Sequence, residues 1–452
     1  MRLEAIKRVY LMGIGGVGMS GLARYFKHRG CQVFGYDRTE SPLTRQLQEE
    51  QIQVVYTDSI ETLPDAFKIY APENLLIYTP AIPAQSVLLN FFKEKGYSLH
   101  KRAEVLGIIS RDHFTIAVAG THGKTTTTSM VTQVLRHAKY PCSAFIGGIA
   151  SNINSNVWLD DTSKTLVVEA DEFDRSFLHL HPDIAIVTST DSDHLDIYGD
   201  HSHMLESFHL FLDQVASDGQ KIIYQDLSLR GDVYYGLKSD VDIQAYNIRI
   251  QEGKYRFDLR VDKMHIPDWT MGIPGKHNIE NALAAIAVGI RLGLDYRLIK
   301  EALMQFKGVK RRFEYIVDTK TQVYIDDYAH HPNELKACFA ALRDLYPEKQ
   351  LTVLFQPHLF SRTRDFMEDF ARELSAVDQL ILLPIYPARE LPIEGVDAEA
   401  LLDRIKGPEK HLLDKEAALA YITAHRPKLL LTVGAGDIDR LVPKLKEVLS
   451  HG

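Results

Sequence analysis

Three blocks of short apolar strands alternating with longer amphipathic stretches make this 452-residue chain an α/β protein of several domains with mostly parallel sheets. Two of the blocks open on a glycine-rich turn between a strand and a helix: "RVYLMGIGGVGMSGLARYF" at the start and "FTIAVAGTHGKTTTTSMVTQVL" after residue 113. The third shows four strands, "QVYIDDYA", "QLTVLFQPH", "QLILLPIY" and "KLLLTVGAG", with amphipathic runs at 333–346 and 364–377 between them. A chain of this length exceeds what one core supports. The expected divisions fall at 107/108 and 316/317, giving blocks 1–107, 108–316 and 317–452. Inside the middle block "KYRFDLRVDKMHIPDWTMGIPG" alternates polar and apolar residues, which predicts an antiparallel addition to the sheet.

The bulk composition narrows the function classes. A net charge of -8 argues against non-specific binding of nucleic acid. No run approaches 18 apolar residues, and "MRLEAIKRVYLMG" lacks the long apolar region of a signal peptide, so neither a membrane partner nor export is expected. The three cysteines, Cys31, Cys142 and Cys338, lie far apart without metal spacing, which suits a reducing, cytoplasmic setting.

The first glycine turn fits G-x-G-x-x-G at Gly13, Gly15 and Gly18, with Gly16 and Val17 between, after a strand and at the start of a helix. Such a turn lets backbone N–H groups approach a diphosphate at a helix N-terminus. Asp37, 19 residues beyond Gly18 at the end of the next strand, would accept hydrogen bonds from a ribose or a base. The alternative is a turn that merely packs helix on strand. Taken alone, the pattern also permits an NAD-dependent oxidoreductase.

The second turn runs Gly120, Thr121, His122, Gly123, Lys124, Thr125, Thr126. It is two residues tighter than G-x-x-x-x-G-K-[ST], since Val118 stands where the first glycine belongs. Lys124 offers a mobile charge for β- and γ-phosphates, and Thr125 or Thr126 offers a hydroxyl to Mg²⁺. A threonine-capped helix is the structural alternative. Carboxylates suited to Mg²⁺ follow at two strand ends: Glu169, Asp171, Glu172 and Asp174 in "EADEFD", then Asp191, Asp193, His194 and Asp196 in "DSDHLD". Ligands of open parallel sheets sit beyond such ends.

The segments "AGTHGKTTTTSM", "EADEFDRSFLHL", "DHLDIYGD", "PGKHNIENALAA", "RRFE", "DDYAHHPNEL" and "FQPHLFSRTRDF" together resemble the Mur ligases of bacterial peptidoglycan synthesis. The resemblance runs nearly end to end, in family order, and the shortened P-loop is itself a feature of that family. It implies a Rossmann-like N-terminal domain holding a UDP-sugar, a central P-loop domain holding MgATP, and a Rossmann-like C-terminal domain binding an amino acid. Gly13, Gly15, Gly16, Val17 and Gly18 would then face the UDP diphosphate, with Asp37 near the uridine. Residues 120–126 would serve ATP, and Thr125, Glu169 and His194 the metal. His277, Asn278 and Asn281 match the adenine-side segment, Arg312 the phosphate-contacting arginine, and Asp326 or Asp327 the ribose-side carboxylate. Tyr328, His331, Arg362 and Arg364 fall on the amino-acid side, with His331 a candidate base and His330 read as a loop element.

The implied reaction is ATP-dependent amide formation between UDP-N-acetylmuramate and L-alanine through an acyl phosphate, with Lys124, His194, Arg312 and His331 as the catalytic set. The run "SHMLESFHLFLDQVASDG" contains no lysine. The carbamylated lysine of sister ligases is therefore not expected here, which agrees with the alanine-adding branch. "GIGGVGMSG" and "QPHLFSRTRD" point the same way, whereas Ala329 matches the ligase that attaches a recycled tripeptide to the same sugar.

Overall fold

A computed structural model describes residues 3–191, 201–388 and 390–450. The chain divides into two compact units, Met1–Gln244 with Asn281–Leu303, and Ala245–Glu280 with Met304–Gly452.

The first unit contains a five-stranded parallel sheet in the order β3-β2-β1-β4-β5. Its strands are β1 (Arg8–Met12), β2 (Gln32–Tyr36), β3 (Gln53–Val55), β4 (Asn74–Tyr78) and β5 (Leu99–Lys101). Odd and even residues of β1 enter different cores: Val9 and Leu11 pack with Leu22 and Phe26, Tyr10 and Met12 with Phe67 and Phe92. Both faces are covered, as a parallel sheet requires.

The same unit carries the P-loop sheet: β6 (Phe114–Ala119), β7 (Ser143–Ala150), β8 (Ser155–Trp158), β9 (Thr165–Glu169), β10 (Ile184–Val187), β11 (Gln220–Tyr224) and β12 (Val233–Gly236). They lie in the order β12-β11-β10-β6-β9-β7-β8, parallel except where β8 returns against β7. Ile116 to Ala119 of β6 are fully buried, so the strand reads as a continuous apolar run and not as an alternation. The helix Arg102–Arg111 spans the expected division at 107/108.

Strand β13 (Ile243–Gln251) begins in the first unit and ends in the second. There β14 (Lys254–Val261) and β15 (Met264–Thr270) pair antiparallel, as the alternating run predicts. The second unit also holds a six-stranded sheet in the order β16-β17-β21-β18-β19-β20. Its strands are β16 (Glu314–Asp318), β17 (Val323–Asp327), β18 (Leu351–Phe355), β19 (Gln379–Leu382), β20 (Glu409–Leu412) and β21 (Leu429–Val433). Only the edge strand β16 is antiparallel. The four strands expected from the sequence are β17, β18, β19 and β21, and β16 and β20 add the edges. The division at 316/317 falls within β16. Among the described residues no helix is long and apolar enough to cross a membrane.

Candidate active site

The tight loop after β6 is held by the end of β10. Thr188 Oγ1 donates to the His122 carbonyl at 2.5 Å, Ser189 Oγ accepts the His122 N–H at 2.6 Å, and Thr121 Oγ1 lies 3.0 Å from Ser189 Oγ. The Asp191 amide in turn donates to Thr121 Oγ1 at 3.0 Å. These neighbours brace the shortened loop from outside, and nothing in the sequence singled out Thr188 or Ser189. Gly123 caps the Lys124–His137 helix at φ 81°, in the left-handed region. A Cβ there would stand 2.6 Å from Asn281 Oδ1, which also accepts the Thr127 hydroxyl at 3.1 Å. Thr126 is buried at the start of this helix.

Lys124 folds back over the loop. Its Nζ donates to the Gly120 carbonyl at 2.6 Å and stands 2.8 Å from each oxygen of Glu172. Burial opposes its charge, but Glu172, Asp171 and Glu169 outweigh that and hold its pKa above the ordinary lysine value. Beside it Thr125 Oγ1 donates to Glu169 Oε1 at 3.0 Å, and Glu169 Oε2 accepts the Gly147 amide at 2.8 Å. A hydroxyl and a carboxylate converging from a helix start and a strand end are the hard oxygen donors that Mg²⁺ takes. His194, expected in the same set, lies outside the described residues, as do Asp193 and Asp196. Among the described residues no cluster of three His, Cys, Asp or Glu side chains has metal-binding geometry.

The first glycine turn is set by Asp37, whose Oδ2 accepts the Gly15 amide at 2.8 Å and whose Oδ1 accepts the Thr39 amide at 3.2 Å. The helix Val17–His28 begins after Gly16. At Gly18 a Cβ would meet Arg102 Nη1 at 2.5 Å, so this glycine makes room for a guanidinium as well as for a ligand. Arg102 pairs with Asp171 at 3.2 Å. Both line a cavity of about 250 Å³ shared with Val17, Gly147, Asn156 and Glu169. Asn156 Nδ2 donates to the Val17 carbonyl at 2.5 Å and to Ser20 Oγ at 3.0 Å, and its Oδ1 accepts a hydrogen bond from Arg24 Nη1. The cavity therefore joins the first glycine turn to the Glu169 carboxylate within one compact unit. Arg102 and Asn156 belong to it although sequence reasoning assigned them no place, and Asp171, expected among the carboxylates suited to Mg²⁺, pairs with Arg102; the Arg102–Asp171 and Asn156–Val17 pairs span 69 and 139 residues.

In the second unit, Arg311 and Arg312 diverge. Arg311 is locked by Asp326 at 3.2 Å and by the Gly434 carbonyl at 2.7 Å. Arg312 makes a longer contact of 3.5 Å with Glu334, and both guanidiniums lie about 5 Å over the Tyr328 ring. Asp326 also accepts the Thr432 hydroxyl at 2.6 Å, and Asp327 accepts the Phe313 and Ala329 amides. Burial pushes both carboxyls up to about 6. His277 is pushed down to about 4 by burial, with Arg312 adding to the shift and Glu334 opposing it. Asn278 Nδ2 turns back to the Pro274 carbonyl at 2.5 Å.

The two neighbouring histidines differ in tautomer. His331 Nδ1 accepts the Asn333 amide at 3.3 Å, capping the Pro332–Leu345 helix, so a neutral ring carries its proton on Nε2. His330 Nδ1 lies 2.9 Å from the Tyr328 carbonyl, which only accepts, so a neutral ring carries its proton on Nδ1 and its lone pair on Nε2. The lone pair expected of a base at His331 is thus committed to a helix cap. His330 instead stands beside Glu334, with the His358 ring 6.1 Å away, and His358 Nδ1 is 3.3 Å from the buried Arg362. Arg364, more than half exposed, pairs with Asp365 at 2.8 Å and does not join this group.

Three family models match the chain in order: "Mur ligase family, catalytic domain" over residues 8–114, "Mur ligase middle domain" over 118–289, and "Mur ligase, glutamate ligase domain" over 311–436. A UDP-N-acetylmuramate–L-alanine ligase of Flavobacterium johnsoniae is 48% identical over 452 residues, covering 100% of both chains. One from Flavobacterium psychrophilum is 49% identical over 453 residues, again covering 100% of both. A crystal structure of the UDP-N-acetylmuramate–alanine ligase of Thermotoga maritima superposes with a TM-score of 0.84 at 26% identity, covering 98% of this chain and 99% of that one. A murein peptide ligase from Psychrobacter arcticus shares the fold at a TM-score of 0.70 and 21% identity, covering 99% of each.

Proposed function

This chain belongs to the Mur ligase family, and from that premise we infer that it joins L-alanine to the carboxylate of UDP-N-acetylmuramate in an ATP-dependent reaction of peptidoglycan precursor synthesis. The observation that carries this reading is identity of 48–49% over the whole chain to ligases of that name. The oxidoreductase reading rested on Gly13–Asp37 alone and leaves Lys124 and Glu169 unexplained. The tripeptide-recycling reading rested on Ala329, one position against a full-length match. The domain divisions near 107/108 and 316/317 and a cytoplasmic location belong to the same proposal.

The residues suit the chemistry in these roles. The turn at Gly13–Gly18 and Arg102 bind the UDP-sugar in the 250 Å³ cavity, which brings its acid toward Glu169 and the P-loop. The loop 120–126 cradles the nucleotide phosphates, with Lys124 aimed at the transferring group and Asn281 behind Gly123. Thr125 and Glu169, with His194 by family pattern, are the residues that would hold Mg²⁺, which would supply charge neutralisation on the phosphates. The substrate carboxylate attacks the γ-phosphorus, ADP leaves, and the amine of alanine displaces phosphate from the acyl carbon. His277, Asn278, Asp326 and Asp327 stand for the nucleoside side, and Arg312 for a phosphate contact. Tyr328, Arg362 and Arg364 serve the amino acid. The amine must attack uncharged, and His330 is better oriented than His331 to take its proton.

The deciding experiment is ADP release with UDP-N-acetylmuramate, MgATP and either L-alanine or the tripeptide, repeated on Lys124→Ala. Turnover with L-alanine, and a loss of several orders of magnitude in the variant, are expected. Turnover with the tripeptide alone would transfer the chain to the recycling branch.

A further inference from the structure

We propose that Glu172 is the positioning residue for Lys124: it anchors the ammonium above Gly120 so that one donor remains to be turned onto a phosphate. The proposal rests on the ligase reading above and concerns how its phosphate loop is prepared.

A lysine has three N–H donors on a flexible stem. In this loop they go to the Gly120 carbonyl at 2.6 Å, to the Glu172 carboxylate at 2.8 Å, and to the Thr121 carbonyl at 3.4 Å. The first two are strong, and the third is long enough to be exchanged at little cost. A phosphate oxygen entering the loop can therefore take the third donor while the other two keep the ammonium in place.

The carboxylate is built not to follow. The Glu172 side chain is 1% exposed and the Lys124 side chain 13%. Its neighbours are fastened outward on both sides, Asp171 to Arg102 at 3.2 Å and Asp174 to Lys101 at 3.0 Å. The turn that sends Glu172 inward between them uses two consecutive non-glycine residues in the left-handed region, Asp174 at φ 52° and Arg175 at φ 54°. Such conformations each cost on the order of 1 kcal/mol and persist where surrounding contacts over-determine them. Here those contacts are the Arg175 amide on the Glu172 carbonyl at 3.0 Å and the Phe177 amide on the Asp171 carbonyl at 2.9 Å.

The charges set the expected kinetics. A buried carboxylate beside the loop repels the phosphates of bound nucleotide, so it contributes nothing to ground-state affinity. Fixing the ammonium on the path of the transferring group lowers the barrier instead. Glu172 therefore acts on kcat and not on nucleotide binding.

The test uses the full-length enzyme with Glu172→Gln, Glu172→Asp, Lys124→Ala and the Lys124→Ala/Glu172→Gln double variant. Glu172→Gln, which keeps shape and loses charge, is expected to lower kcat roughly a hundredfold. It should leave the KM for the UDP-sugar within about twofold and bind Mg·ADP at least as tightly as wild type. Glu172→Asp should recover part of kcat, and the double variant should be no slower than Lys124→Ala alone, since Glu172 acts only through that lysine. A Glu172→Gln enzyme turning over within about twofold of wild type overturns the proposal, as does a double variant slowed by the full product of the single effects. If Glu172→Gln does not fold, Glu172→Asp decides by the same kcat and Mg·ADP criteria. Failure of wild type to turn over with L-alanine would refute the ligase reading itself, whereas an active wild type with unaffected variants refutes only this role of Glu172.

Discussion

Glu169 ties the P-loop helix to β7: one carboxylate oxygen takes the Thr125 hydroxyl at 3.0 Å and the other takes the Gly147 amide at 2.8 Å. The backbone bond fixes the carboxylate so that its first oxygen and the hydroxyl converge on one point. Glu169→Gln replaces one acceptor by an NH₂ group that must face either an amide N–H or the converging point. A loss of about 10²–10³ in kcat is expected, by the measure of removing one preorganised group from a charge-stabilising site. The Mg²⁺ concentration for half-maximal rate should rise as well. A magnesium titration of the variant checks both, and an unchanged magnesium dependence would exclude Glu169 from the metal site.

The adjacent arginines Arg311 and Arg312 should separate stability from activity. Arg311 serves Asp326, whose side chain is 1% exposed, so Arg311→Ala strands a buried carboxylate and should cost about 3 kcal/mol. Arg312→Ala loses a 3.5 Å contact with Glu334 and the stacking on Tyr328, and should lower the denaturation midpoint less than Arg311→Ala does while raising the KM for ATP. Urea unfolding and ATP kinetics on the two variants distinguish these outcomes, and the reverse pattern would exchange their roles.

His331→Asn keeps a side-chain acceptor at the N-cap of the Pro332–Leu345 helix, and asparagine is among the best capping residues. Stability and turnover near wild type are expected, whereas His331→Ala should lose about 1 kcal/mol. His330→Asn should fold normally and lose turnover. Inactive His331→Asn with active His330→Asn would return the base to His331.

The contrast between these histidines shows where sequence reading stops. "DDYAHHPNEL" places both beside one helix start, but their tautomers are set by the Tyr328 carbonyl and the Asn333 amide, which are geometric facts. The three-block organisation was legible because glycine turns and apolar runs are local signals. Lys124, Thr125 and Glu169 were legible because the order strand, loop, helix, strand end imposes their proximity. Glu172 was readable as one of four acidic residues, yet only the left-handed turn at Asp174 and Arg175 makes it the one that points inward to Lys124. Arg102 was missed because its partners, Gly18 and Asp171, are distant in sequence and carry no spacing rule. Asp37 was read as an acceptor for a ribose or a base; its two oxygens also take the Gly15 and Thr39 amides, a local use that composition could not show.

His277 gives the second unit a pH dependence of definite sign. Its pKa falls from 6.5 to about 4 on folding, because burial and Arg312 disfavour the imidazolium more than Glu334 favours it. The folded state therefore binds fewer protons than the unfolded chain between these values, and stability must rise with pH across that window. The contribution is complete above about 6.5 and is lost as pH falls toward 4. Asp326 and Asp327, raised by burial to about 6, act with the opposite sign: their contribution is present at low pH and lost as pH rises through 6. The two effects oppose each other between pH 4 and 6, so wild-type stability alone would hide both. Replacing His277 by Asn removes only the first. The urea midpoint of His277→Asn should then fall more steeply than that of wild type as pH rises from 4 to 6.5. A parallel pH profile for the two proteins would show that His277 titrates in the folded enzyme as it does in water.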